Sequence, residues 1–277
     1  MMLGKNKPDS NVSMSVEQAA YLKNQRAHQI FITISRYVLL IAFLVLWEVS
    51  ANAGWIDAFF FSSPVRIWKL FLSMCQDHSI FMHVGITLFE TIVSFLLVFV
   101  ISLGAATLLW YSTKLSEILE PYLVVLNSLP KSALAPLFIV WLGTGTTTII
   151  VAGISVALFG SIISFYTAFK QNDPEKLTLI YTLGGSRRDA FHKVILPGSV
   201  PILLATTKVN IGLSLVGVII GEFLAARRGL GYLIIYGSQV FQLNLVITSV
   251  ILLCLIAMGL YKGLQFAENR IGRWQKP

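Results

Sequence analysis

Six long apolar stretches limit what this chain can become: Tyr37–Trp55, Ile86–Trp110, Tyr122–Leu142, Thr147–Phe169, Ile202–Ala225 and Leu245–Gly263. A helix needs about 20 apolar residues to cross the hydrocarbon core of a bilayer. Inside lipid every backbone N–H and C=O must be bonded within the protein, so only helices or closed β-barrels span it. Barrel strands alternate apolar and polar residues, whereas Phe95–Ile101 is unbroken apolar sequence. The expected fold is therefore all-α: a polytopic integral membrane protein with six transmembrane helices. Composition agrees, since 56% of the residues are hydrophobic and only 12% charged, about half the charged share of a globular domain.

The net charge of +8 is decided by where the charges fall. Lys5, Lys7, Lys23, Arg26 and Arg36 precede the first stretch, and Lys114 separates the second from the third. Lys170, Lys176, Arg187, Arg188 and Lys193 lie between the fourth and fifth, and Lys262, Arg270, Arg273 and Lys276 follow the sixth. With both termini cytoplasmic, those fifteen face inward against four outward, Arg66, Lys69, Arg227 and Arg228. That bias sets the expected orientation. It points to membrane lipid and away from nucleic acid as the partner of the basic charge. The two cysteines, Cys75 and Cys254, are too far apart in kind and place for a disulfide framework or a metal site. Ala51-Asn52-Ala53 imitates a signal-peptide cleavage site, but a long polar lead and five further spans mark the first helix as uncleaved.

Two regions organise the chain: a loosely ordered cytoplasmic tail over residues 1–30 and a single transmembrane domain over 31–277, with a basic loop at 170–200. Ser62-Ser63-Pro64 followed by Val65, Ile67, Trp68, Phe71 and Leu72 predicts a short amphipathic helix on the membrane surface. No internal repeat is visible. Small residues recur at Gly153, Ala157 and Ser161, and at Gly217 and Gly221, where they permit close helix–helix approach within one chain or between subunits.

The loop from Lys170 to Pro197 carries the densest local information. Asp173-Pro174-Glu175 is a helix start, with a capping side chain, proline in the first turn and an acid at the positive dipole end. Gly184 can end that helix in the left-handed conformation. Ser186 and Asp189 form the pattern of a capping box, opening a second short helix that Pro197 should limit. Leu177, Ile180 and Tyr181 share a face of the first helix, and Ala190, Phe191 and Val194 a face of the second. The prediction is a helix–glycine turn–helix elbow, apolar on one side and basic on the other. Such an elbow suits a protein partner; lipid contact alone requires no glycine turn.

At these residues the chain resembles the permeases of bacterial ATP-binding cassette (ABC) importers, whose signature runs EAA-x3-G-x9-I-x-LP. Gly184 is followed by nine residues and then Val194-Ile195-Leu196-Pro197, and Leu183-Gly184-Gly185-Ser186-Arg187 is similar to the family's LGAS-plus-basic run. The Glu-Ala-Ala triplet falls on Thr178, Leu179 and Ile180, so the electrostatic contact of that Glu is missing or replaced. Asn127–Gly143 resembles span three of the nitrate/sulfonate/taurine branch, and Gly221-Glu222-Phe223 with Gly229–Ile234 resembles the end of span five and the loop after it. The resemblance covers about residues 60–265.

It implies a permease without catalysis of its own, with cytoplasmic coupling helices. ATP and Mg would sit on a separate cytoplasmic ABC ATPase that grips Glu175, Thr178, Tyr181, Gly184, Gly185, Ser186, Arg187, Arg188, Phe191, Leu196 and Pro197. It also implies an extracytoplasmic substrate-binding protein and a second permease copy, as a homodimer in the bacterial plasma membrane.

The residues themselves exclude several chemistries. There is no phosphate loop, since no Lys follows Gly143-Thr-Gly-Thr, and no HExxH, Cys/His cluster or nucleophile elbow. His28, His78, His83 and His192 fall in separate soluble segments. Ionisable groups within spans are expensive and so are candidates for function. Lys131, at about mid-depth of an unbroken third span by 1.5 Å per residue, would face a substrate pathway with Asn127, Ser128, Asn210 and Ser214. Lys131 could equally snorkel or pair within the bundle. Lys208 is expected to snorkel, Glu222 to pair with Arg227 or Arg228, and Glu48 and Glu90 to reach water.

The expected function is passage of a small anionic solute, sulfonate, taurine or nitrate in kind, delivered by the binding protein. The alternatives are import of a thiamin-pyrimidine or other vitamin precursor, an ion-coupled secondary transporter and, third, a membrane-embedded enzyme. Acid chains or duplicated halves would mark the secondary transporter, and clustered His, Asp or Ser within spans the enzyme; neither pattern is present.

Overall fold

The structure is a computed structural model and describes residues 16–271. Lys5, Lys7, Arg273 and Lys276 of the charge count lie outside the described residues. Internal contacts divide the chain into two units, Met1–Val65 and Arg66–Pro277. Among the described residues there are helices and turns but no strand. Five helices are long and apolar enough to cross a membrane, or six if one bent pair counts as a single span.

In the first unit, α1 runs over Val16–Asn52 and a single helical turn, α2, over Ala58–Phe61. Residues 16–30, read from composition as a loose tail, are already helical: Glu, Gln, Ala, Leu, Lys and Arg lose little freedom in a helix. The Asp57 carboxylate caps α2 by accepting the Phe59 amide at 2.8 Å. Glu48 does more than reach water. Its carboxylate accepts from the Asn52 side chain at 3.1 Å and from the Val65 amide at 3.0 Å, tying the loop back to α1.

The amphipathic helix expected after Pro64 is present as α3, Pro64–Gln76, with Ile67 and Met74 buried. Beyond it the second unit is built on α4 (Ser79–Tyr111), α7 (Thr146–Lys170) and α10 (Leu196–Ala225). Helix α7 packs against both α4 and α10. The small residues explain how closely. A Cβ at Gly217 would sit 2.7 Å from the Ala152 carbonyl, and one at Gly221 would sit 2.9 Å from Ile149 Cα. The Ser94 hydroxyl of α4 donates to the Ile150 carbonyl of α7 at 3.2 Å. Gly153, Ala157, Ser161, Gly217 and Gly221 are thus spent on packing inside the chain.

The third expected span is broken. Helices α5 (Thr113–Ser128) and α6 (Lys131–Leu142) meet at 95°. Leu129 is extended, as the residue before a proline prefers, and Pro130 has no N–H with which to continue the helix. Lys131 therefore opens α6 rather than sitting midway along a straight span. Helices α11 (Leu230–Gln239) and α12 (Leu243–Ile271) close the bundle against α10. One apolar cluster, including Phe165, Phe169, Phe191 and Ile195, lies at one end of α10, and another, including Leu215, Leu230, Leu233 and Leu252, toward the other.

Candidate functional site

The elbow forms as its local sequence dictates. Helix α8 (Pro174–Thr182) starts at Asp173, whose carboxylate accepts the Glu175 amide at 2.9 Å. It ends with Gly184 at φ 80°, where the Gly184 amide donates to the Tyr181 carbonyl at 3.0 Å and the Gly185 amide to the Ile180 carbonyl at 2.9 Å. This pair of bonds satisfies the last carbonyls of α8 and requires a residue without a Cβ at Gly184. Helix α9 (Arg187–Ala190) opens with a complete capping box: the Ser186 amide donates to Asp189 at 3.0 Å and the Asp189 amide to Ser186 Oγ at 3.2 Å.

Beyond α9 the chain departs from expectation. Pro197 does not stop the second helix. Residues Phe191–Ile195 form a π-helical turn in which the Leu196 amide donates to the Phe191 carbonyl, and the chain continues directly into α10. The wider turn accommodates a proline that cannot supply an i→i−4 bond and whose ring would crowd the preceding carbonyls. The second arm of the elbow and the fifth span are consequently one continuous helix from Arg187 to Ala225. In this form the basic loop is a lever.

Two contacts bolt that lever to the bundle. Arg187 donates to the Trp110 carbonyl at 2.9 Å, and its guanidinium lies 5.2 Å from the centre of the Trp110 ring. Phe191 is buried, packed against Trp110 at 5.2 Å, Tyr111 at 5.4 Å and Phe169 at 5.5 Å between ring centres. Leu196 packs against the same apolar cluster. The coupling residues named from the sequence therefore divide. Glu175, Thr178, Tyr181, Gly184, Ser186, Arg187, Arg188 and Pro197 are exposed, Gly185 is half-buried in the turn, and Phe191 and Leu196 point into the bundle. The Thr178 hydroxyl donates to the Pro174 carbonyl at 2.9 Å. Leu183, which sequence reasoning passed over, is 75% exposed beside Leu179 and Tyr181; an apolar residue at a helix C-cap was the available signal.

The expected pathway residues have different surroundings. Lys131 reaches back to the carbonyls of Leu126 and, at 3.2 Å, Asn127, where the negative end of α5 meets a cation. Its ammonium also stands 5.4 Å from the Phe159 ring centre. The Ser128 hydroxyl donates to the Val124 carbonyl at 2.9 Å within α5. Asn210 and Ser214 are buried on α10, and neither Asn210 Nδ2 nor Ser214 Oγ has a partner among the described residues. Lys208 is half-buried in a salt bridge with Glu268 of α12.

The end of the bundle opposite the elbow holds a network the sequence did not disclose. Glu222 takes neither Arg227 nor Arg228 as a salt-bridge partner among the described residues. It is buried and accepts from the Thr87 hydroxyl at 2.6 Å and the Gly231 amide at 2.5 Å. The Leu230 amide donates to Thr87 Oγ1 at 2.9 Å, and the Gly229 amide to His83 Nδ1 at 3.0 Å. Three side chains from two helices thus satisfy the first amides of α11, a cap assembled in three dimensions. Gly229 has φ 113°, and a Cβ at Gly231 would sit 2.7 Å from Glu222 Oε2. The Gly-Leu-Gly run beside Glu222 was the only local hint.

Glu90, expected to reach water, is 1% exposed and lies beside the Glu222 carboxyl and the Thr146 hydroxyl. Both of its oxygens are buried, within reach of those two groups. It lines a cavity of about 670 Å³ together with Phe89, Thr146, Arg227 and Arg228.

What such a helical bundle is for is decided by similarity to known proteins. Residues 98–267 match the family described as the binding-protein-dependent transport system inner membrane component. The chain belongs to this family. The permease is 24% identical to the formylaminopyrimidine transport permease ThiX of Halalkalibacterium halodurans, over 84% of this chain and 92% of the relative. It is 27% identical to the riboflavin transport permease RibX of Chloroflexus aurantiacus, over 86% and 89%. It is 24% identical to the taurine transport permease TauC of Escherichia coli, over 88% and 90%. In fold it is similar to a chain of the inward-facing MetNI methionine ABC transporter, with a TM-score of 0.58 and 22% identity over 70% of this chain and 95% of that one. The permease is a subunit of an ABC importer, and its family is one of transport proteins rather than enzymes.

Proposed function

We propose that the permease forms the translocation pathway of an ATP-driven importer for a small anionic solute of the sulfonate, taurine or nitrate kind. Two copies would face each other across the pathway in the bacterial plasma membrane, with both termini cytoplasmic. A separate cytoplasmic ATPase would hold ATP and Mg and grip the elbow from Glu175 to Arg188. A binding protein would deliver solute to the opposite end.

One observation supports this reading above the others: the second arm of the elbow runs without a break into α10. A force applied at Tyr181 and Leu183 would pass through the Gly184 turn to Arg187 and Phe191. From there it would tilt a helix of 30 residues, about 45 Å at 1.5 Å per residue. Elements that move in this way are bistable packings rather than continuously deformable ones. The likeness to TauC supports a sulfonate, and Arg227 and Arg228 at the opposite end would attract an anion. The likenesses to ThiX and RibX favour a second reading, a vitamin precursor.

The test is reconstitution of the permease with its ATPase and binding protein in proteoliposomes. ATP-dependent accumulation of labelled taurine or nitrate is expected. Accumulation of a formylaminopyrimidine with no sulfonate or nitrate uptake would replace the first reading with the second.

A further inference from the structure

Two acidic side chains that touch inside a packed bundle need a proton between them, because adjacent like charges in a low dielectric cannot both persist. Glu90 of α4 and Glu222 of α10 are such a pair. Each is 1% exposed, and their carboxyl groups lie within hydrogen-bonding reach of each other. The surrounding network assigns the proton. Glu222 accepts at both oxygens, from the Thr87 hydroxyl at 2.6 Å and the Gly231 amide at 2.5 Å, with the Tyr232 amide also in reach. A carboxyl that only accepts is the ionised form. Glu90 has the complementary surroundings, an acceptor in Glu222 and a donor in the Thr146 hydroxyl of α7. A protonated carboxyl uses both; an ionised one would face a like charge.

No cation forms a salt bridge with either acid among the described residues. Arg227 and Arg228 line the cavity beside Glu90 but are exposed. His83 of α4 is occupied by the Gly229 amide, and its ring stacks on Tyr232 of α11. On the other elements packed against these helices, Lys131 of α6 and the Lys208–Glu268 pair of α10 and α12 are bonded elsewhere. Helix α5, with Lys114, Glu117 and Glu120, meets α4 at Ser112, the end away from Glu90.

We propose that Glu90 and Glu222 share one proton, held on Glu90, and that this proton latches α4, α7, α10 and α11 together at the end opposite the elbow. The Glu90 hydroxyl donates to the Glu222 carboxylate, a charge-assisted bond, while Glu222 holds the first amides of α11. Loss of the proton sets two anions face to face with no cation between them and drives α10 from α4. Tilting α10 separates the same two groups, so the proton resists motion of the lever from its far end. Alkali therefore releases the latch, whichever solute the permease carries.

Infrared spectroscopy of the full-length permease in lipid nanodiscs tests the proton directly. A protonated-carboxyl band that shifts in deuterium oxide is expected at neutral pH, absent from Glu90→Gln and lost as the pH is raised to about 10. Hydrogen–deuterium exchange reads the latch. Protection of the amides of residues 230–233, corrected for the intrinsic rate, should fall about tenfold over the same range. Glu90→Gln presents an N–H where the acid presents its O–H, so its protection should stay within about twofold throughout. Glu90→Ala, which lacks the donor, should show the lowered protection at every pH. Absence of the band from the unaltered permease, or its persistence in Glu90→Gln, would overturn the shared proton. Equal pH dependence of exchange in the unaltered permease and Glu90→Gln would overturn the latch.

Discussion

The Thr87 hydroxyl donates to the Glu222 carboxyl at 2.6 Å, so that a side chain of α4 and a side chain of α10 act as one cap on α11. Thr87 accepts the Leu230 amide while Glu222 accepts the Gly231 amide, and both residues are buried. The bond joins three helices at the end of the bundle opposite the elbow. Leu230 and Gly231 are buried there, so a backbone amide left without a partner would be costly.

Removing this cap should loosen α11 before anything else. Thr87→Val leaves the Leu230 amide and one Glu222 oxygen without a partner, a loss of about 1–3 kcal/mol. Gly231→Ala is expected to be as severe, since the new Cβ would sit 2.7 Å from Glu222 Oε2. Thermal denaturation of the purified permease in nanodiscs, followed by fluorescence, measures both. Unchanged melting for both variants would show that the cap contributes nothing to stability.

Gly184 isolates backbone conformation from packing, because a Cβ there would meet nothing within 4 Å yet φ is 80°. Gly184→Val should strain the turn by about 1–2 kcal/mol, disorder the elbow and reduce co-purification of the ATPase. Gly184→Asn, whose side chain tolerates the left-handed region, should retain it. Deletion of Asp173–Val194 should abolish it.

Arg187 separates gripping from transmission. Its bond to the Trp110 carbonyl and its position over the Trp110 ring fasten the elbow to α4. Arg187→Ala is expected to leave the ATPase bound while lowering uptake per ATP hydrolysed. Arg187→Lys should restore it only in part, because a point charge makes poor use of a planar ring. Simultaneous transport and hydrolysis assays in proteoliposomes read the ratio. A ratio equal to that of the unaltered permease would show that the bolt is dispensable.

At the α5–α6 corner, Lys131→Ala should lower uptake while leaving assembly intact. The structure supplies the reason: the ammonium holds the last carbonyls of α5 across a 95° bend. The lost charge–dipole contact is worth about 0.3–2 kcal/mol. Lys131→Arg, which keeps a cation at the helix end, should keep most of the uptake.

The Lys208–Glu268 pair joins α10 to α12 and is half-buried. Lys208→Glu places two acids together and should lower thermal stability by about 2–4 kcal/mol. The double exchange K208E with E268K should recover most of it, the coupling that a double-mutant cycle isolates. Independent, additive effects would mean that the pair is incidental.

The elbow was legible because its determinants are local. Asp173, Gly184, Ser186 and Asp189 act on amides within five residues of themselves, and each does in the fold what its position predicts. Pro197 misled because its effect depends on the turn before it, and a π turn is not written in any one residue. The corner at Pro130 was hidden by hydropathy, which reads straight through a bend. Glu48, Glu90 and Glu222 were misjudged for a common reason. Sequence proximity proposed water or nearby arginines, whereas their surroundings are built from residues 15–135 positions away where a bonded partner exists.

By itself the sequence determined that the chain is helical, lives in a bilayer, and carries a capped and glycine-turned elbow between its fourth and fifth long apolar stretches. Periodicity, hydropathy and capping act over a few residues, so nothing distant can revoke them. Only the tertiary structure decided that the elbow is continuous with α10, and that Lys131 closes a corner. It also decided that Thr87, His83 and Glu222 converge on α11 and that Glu90 is buried beside Glu222. Those outcomes depend on which buried polar groups find one another once the helices pack, and burial makes an unmatched group costly.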